Sequence, residues 1–202
     1  MNAPAEIERD WAGRATILFG FVGLMWLVYF IDLITGSRLL PVTGIIPRTS
    51  AGLVGIVEAP FIHGSLGHIV ANTIPLLILG GIILLRGIGE FLFVTQMSML
   101  IGGFGTWIFG SSGNHIGASG VVFGFIGFLL FRSVYDRRLS SFVLTLAVAF
   151  LFGGAIAHTV LPEAGISWTA HAFGFLGGIV AARLRYRRGQ PTPIVRGPSL
   201  VN

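Results

Sequence analysis

The sequence contains no cysteine, and arginine supplies all 13 of its basic side chains. The first absence excludes disulfides and thiol catalysis. Charge is scarce as well: only 10% of the 202 residues are charged. A soluble domain carries about a quarter, so an ordinary soluble fold is excluded. The first fifteen residues mix Glu6, Glu8 and Asp10 with Arg9 and Arg14, and no small-residue cleavage site follows the first apolar run. That pattern is neither a transit peptide nor a signal peptide.

What the chain does have is apolar length. Hydrophobic residues make up 53% of it and the mean hydropathy is +0.85. Six windows read as spans, at 15–34, 68–86, 88–109, 115–131, 141–160 and 167–184. Most approach the ~20 residues needed to cross ~30 Å of hydrocarbon; the fourth is short. The expected fold is an all-α membrane protein, a six-helix transmembrane bundle over 15–185 with a long first outer loop at 35–67. Residues 1–14 form a tail, and 186–202, with Pro191, Pro193 and Pro198, form a second, disordered one. Thirty glycines point to closely packed helices.

Arginine placement sets the expected orientation. With odd spans running outward, Arg9, Arg14, Arg86, Arg132, Arg137, Arg138, Arg183, Arg185, Arg187, Arg188 and Arg196 are cytoplasmic, leaving Arg38 and Arg48 outside. The positive-inside rule then places both termini in the cytoplasm. The formal charge of +5 is thus explained by topology and contact with anionic lipid rather than by nucleic acid.

Polar residues inside the spans stand out against this background. Asn72, Ser119 and His171 precede the cytoplasmic Arg86, Arg132 and Arg183 by 14, 13 and 12 residues. At ~1.5 Å per residue they lie about 21, 20 and 18 Å from that edge, a shared depth. His68 sits one turn before Asn72 on the same face. Gly120 and Gly124 on the fourth span, and Gly174 and Gly178 on the sixth, form small-xxx-small pairs that let those helices approach. An imidazole in hydrocarbon is expensive, so His171 reads as functional.

A serine hydroxyl becomes nucleophilic when an adjacent base takes its proton, and histidine is the usual base near neutral pH. Asp32, Glu58, Glu90, Asp136 and Glu163 all fall in loops or at membrane edges, so a Ser–His dyad fits better than a triad. The Ser119 N–H, the Asn72 amide and a His68 ring N–H are the candidate oxyanion donors. His115 and His158 read as hydrated edge residues without a role. A metal held by His63, His68 and His171 is disfavoured, because five residues put His63 and His68 about 140° apart on a helix. No cofactor is expected.

Three motifs in order carry a family resemblance: His63-x4-His68-x3-Asn72, Gly117-Ala118-Ser119-Gly120, and His171-x2-Gly174-x3-Gly178. Over about residues 15–185 the chain resembles the rhomboid intramembrane serine proteases. The resemblance implies Ser119 as nucleophile, His171 as general base, and His68, Asn72 and the Ser119 N–H as oxyanion hole. His63 has a supporting role. It further implies single-span membrane proteins as substrates and a gating role for the fifth span; the absence of lysine and the short tails suggest a bacterial plasma-membrane location. The segment 161–166 is placed to act as a lid. An inactive, client-binding relative is the alternative. Two departures are visible: Phe123 stands where many bacterial members have Tyr, and loop 35–67 lacks their Trp-Arg pair, its nearest stretch being Leu53 to Glu58.

Overall fold

The computed structural model describes residues 3–38, 43–157 and 167–186. They form α1 (Ala3–Ile34), α2 (Ser50–Glu58), a 3-10 turn (Ala59–Phe61), α3 (Leu66–Leu84), α4 (Ile88–Phe109), α5 (Ser119–Asp136), α6 (Leu139–Ala157) and α7 (Trp168–Arg185). The expected lid, His158, Glu163 and the tail 187–202 lie outside the described residues. Among the described residues, four helices are long and apolar enough to cross a membrane, over Asp10–Ile34, Leu66–Leu84, Ile88–Phe109 and Ser119–Asp136. α6 is apolar over the shorter Leu139–Gly154, and α7 carries Thr169 and His171 near one end and Arg183 and Arg185 at the other.

α5 is the centre of the bundle. Every residue from Val121 to Leu129 is buried, as expected of a helix that is apolar all round. It packs against α3, α4, α6 and α7, while α7 also packs on α4 and α1 on α3. Phe91, Phe125, Phe128, Leu76, Leu79 and Ile126 fill the interior. The outer faces are equally apolar: Phe150 of α6 is 88% exposed and Phe19 of α1 62%. Contiguous apolar surface of this kind suits lipid rather than water.

The arginine-rich end is closed by polar contacts that centre on two buried carboxylates, Glu90 and Asp136. The Glu90 carboxylate accepts from Arg86 Nε at 3.1 Å, Arg185 Nε at 3.0 Å and the Tyr186 hydroxyl. Burial and the adjacent Glu90 push the Tyr186 phenol well above its ordinary range. Arg132 pairs with Asp136 at 2.9 Å, and Asp136 also accepts from Ser141 at 2.6 Å. These contacts tie α4 to α7 and α5 to α6 at the end away from Ser119.

Some boundaries differ from the sequence reading. α1 begins at Ala3, so most of the expected N-terminal tail is helical. The fourth span does not begin at 115: His115 pairs in an isolated antiparallel bridge with Ile45, so the helix starts only at Ser119 and runs on to Asp136. Ser119 is therefore the first residue of its helix rather than a position within it. Loop 35–67 contains α2 and the 3-10 turn.

Candidate active site

Three helix N-termini meet at one cavity, and two of them are capped alike. Ser65 caps α3 by accepting the His68 N–H at 3.1 Å. Ser167 caps α7, its hydroxyl accepting from Ala170 N–H at 3.4 Å. α5 starts after Ala118 with no side-chain cap. In the turn before it, Gly117 N–H goes to Ala59 O at 2.8 Å and Ala118 N–H to His63 Nε2 at 3.4 Å. Val121 and Val122 return to Ala118 O. Among the described residues this leaves the Ser119 and Gly120 N–H groups without a backbone acceptor. Uncapped N–H groups at a helix N-terminus are a ready site for negative charge.

The cavity measures about 1050 Å³. Ser119, His171, His68, Asn72 and Phe123 all line it, so the structure brings together the central residues singled out from the sequence. The hydroxyl comes from the first turn of α5 and the imidazole from the first turn of α7. His171 is buried and stacks on Phe123, ring centres 4.2 Å apart and planes 25° from parallel. Asn72 Nδ2 donates to His68 O at 3.0 Å. Ser65, Ser111, Asn114, His115 and Ser167 supply a polar rim, and Pro75, Val122, Ile126 and Phe152 an apolar wall.

Glycine makes the approach of α5 and α7 possible. A Cβ on Gly174 would strike Gly120 O, and one on Gly178 would strike Gly124 O. The two small-xxx-small pairs thus face each other backbone to backbone, beside the serine and the histidine. Gly117 matters for a different reason. Its φ of +105° lies in the region that disfavours side chains, and its Cα abuts the His68 ring, which a Cβ would meet at 2.5 Å.

His63 is not on α3, so the helical angle expected between it and His68 does not apply. It precedes the helix, folds back and meets the His68 ring edge-on at 4.9 Å. Burial, then the neighbouring His68, lower its pKa from 6.5 to about 4, with the Phe61 backbone opposing. It is therefore neutral near pH 7, which suits its role as acceptor for Ala118 N–H. Among the described residues no three His, Asp or Glu side chains gather as a metal site.

Sequence reasoning missed several participants. His115, read as an edge residue, lines the cavity and contacts Ser167 at 2.6 Å. The first loop, which lacks the Trp-Arg pair of many relatives, is held instead by Arg48, which donates to Ile108 O and Gly110 O at 3.0 Å each, and by Trp107 of α4, whose Nε1 donates to Thr49 O at 2.8 Å. No spacing rule marks these, since the partners are about sixty residues apart.

The chain matches the family model for the Rhomboid domain over residues 50–188. It is 41% identical over 183 residues to uncharacterized proteins of Mycobacterium bovis and Mycobacterium tuberculosis, covering 86% of this chain and 76% of each relative. An uncharacterized protein of Mycobacterium leprae is 40% identical over 182 residues, covering 85% of this chain and 71% of its own. Because the domain match takes in every residue that lines the cavity, the chain belongs to the rhomboid family.

Proposed function

We propose that this chain is an intramembrane serine endopeptidase that cuts the transmembrane segments of single-span membrane proteins. The observation that carries this reading is the position of Ser119. It opens an uncapped helix at the wall of the cavity that also holds His171. Ser119 Oγ attacks the scissile carbonyl while His171 takes its proton and passes it to the leaving amine. The C–N bond breaks and an acyl-enzyme ester remains. Water, deprotonated by His171, then releases the new carboxyl group and returns the hydroxyl to Ser119. The tetrahedral oxyanion is stabilised by the Ser119 N–H, the Asn72 amide and the His68 ring, where each donor is worth on the order of 10²–10³ in kcat. Catalytic contacts are often long in a free enzyme and tighten in the complex, so substrate binding brings hydroxyl and imidazole into alignment.

The serine-rich rim admits the hydrolytic water. Substrate enters from the side between α3 and α6, which contribute Ala71 and Pro75, and Phe152, to the cavity lining. α6 packs on α5 among the described elements and leaves its outer face apolar, which fits a gate. The bundle has six spans, with α6 and α7 completing the four longer ones. The arginine distribution supports a topology with both termini in the cytoplasm and the cavity on the extracytoplasmic side, in a bacterial plasma membrane.

The test is cleavage of a single-span reporter by wild type and by Ser119→Ala in liposomes. Cleavage by wild type alone is expected. Equal cleavage by both would overturn the serine mechanism, and no cleavage by either across varied reporters would favour the inactive, client-binding alternative.

A further inference from the structure

We propose that His115 is a positioning residue that couples the nucleophile's loop to the helix carrying the base, an inference that rests on the roles given above to Ser119 and His171. His115 lies four residues before Ser119, and Ser167 lies four before His171. Their side chains meet at 2.6 Å, His115 Nδ1 to Ser167 Oγ. Each is fixed on its own side. The His115 backbone exchanges two hydrogen bonds with Ile45, at 2.9 and 3.0 Å. Ser167 caps α7, and its carbonyl accepts the His171 N–H at 3.2 Å.

For a neutral ring, the partners of His115 set the direction of its two hydrogen bonds. His115 Nε2 stands 2.9 Å from the Ser111 carbonyl, which can only accept, so Nε2 carries the proton. In a neutral ring Nδ1 is then an acceptor, and the Ser167 hydroxyl donates to it. That leaves the Ser167 oxygen able to accept from Ala170 N–H at 3.4 Å. The result is one polarised chain from the first turn of α7, through Ser167 and His115, to the loop that leads into Ser119. Both ring nitrogens are occupied, so His115 does not serve as a second base for Ser119. Its contribution is to hold two helix starts, and hence hydroxyl and imidazole, in register. Misplacement of reacting groups by ~1 Å costs on the order of 100-fold in rate.

The test compares His115→Phe, His115→Asn, Ser167→Ala and the double variant His115→Phe/Ser167→Ala in the full chain, with the liposome reporter and detergent thermal midpoints. Phe keeps the ring and loses both hydrogen bonds; Asn restores an acceptor near the position of Nδ1. Expected are a roughly 10- to 100-fold fall in kcat for His115→Phe and Ser167→Ala, on the scale set by misplacement. KM should stay within about twofold, since the coupling orients rather than binds. The double variant should be no slower than the slower single, and His115→Asn should recover most of the loss. Unchanged kcat in either single variant, effects that multiply in the double, or an Asn variant no better than Phe would each overturn the coupling. If His115→Phe does not fold, Ser167→Ala and His115→Asn decide the same question. Ser119→Ala runs alongside: its cleavage at the wild-type rate overturns the protease reading as well, whereas its inactivity confines any failure to the coupling.

Discussion

Adding a single methyl group at Gly174 should uncouple the two helices that carry the reactive residues. In Gly174→Ala the new Cβ falls on Gly120 O, a backbone atom of the residue next to Ser119. Retreat is blocked on the other side, where a Cβ on Gly102 of α4 would already lie 3.2 Å from Gly174 Cα. Reaching an ordinary contact of ~3.5 Å requires α5 and α7 to part by about 1.4 Å. Overpacking of this kind costs about 1–3 kcal/mol. For a domain of this size each kcal/mol lowers the thermal midpoint by about 2–4 °C. The same parting separates Ser119 from His171, so kcat should fall on the order of 100-fold. Gly153→Ala on α6 is the control, because nothing lies within 4 Å of its Cβ position; it should be neutral or stabilising by up to ~1 kcal/mol. The assays are thermal unfolding in detergent and initial rates on the liposome reporter. A Gly174→Ala protein with wild-type midpoint and rate would refute the idea that this backbone contact sets the site.

Other consequences can be checked alongside. The folded state resists protonating His63 down to about pH 4, while the unfolded chain takes the proton near pH 6.5. Wild type should therefore lose stability as pH falls through that window, by up to about 3 kcal/mol, and His63→Gln should flatten that part of the slope in equilibrium unfolding. Phe123→Tyr keeps the ring against His171 and should hold kcat within a few-fold, whereas Phe123→Ala removes a stack worth about 0.5–1.5 kcal/mol and should lower kcat about tenfold or more. Glu90→Gln leaves the partly exposed guanidinium groups of Arg86 and Arg185 facing a neutral amide where the buried carboxylate stood. With the cations partly screened by solvent, it should cost about 1–2 kcal/mol in thermal unfolding with little effect on the rate of the folded fraction.

The parts of this architecture legible from sequence were those set by local pattern. Apolar length located the helices, and the four-residue spacing of Gly120 with Gly124 and of Gly174 with Gly178 anticipated a contact that the structure contains. The shared depth of Asn72, Ser119 and His171 became a shared cavity. What escaped notice depends on residues far apart in the chain. Ile45 captures His115 across seventy residues, so the helix starts at Ser119 and not at 115. His63 sits before α3, and only its fold back onto His68 gives it a place beside the Ala118 N–H. Arg48 satisfies carbonyls at the end of α4, a role that no motif in loop 35–67 announces. In each case a backbone group that needed a partner found one outside its own element, and hydrophobic periodicity carries no record of that choice.

The central claim is that Ser119 is a nucleophile activated by His171. Its most direct measurement is the site of covalent attachment of a fluorophosphonate to the full chain, read by mass spectrometry of the peptides. One adduct is expected, on Ser119, formed at a rate that collapses in His171→Ala. An adduct on another serine, or labelling of Ser119 that is indifferent to His171, would contradict it.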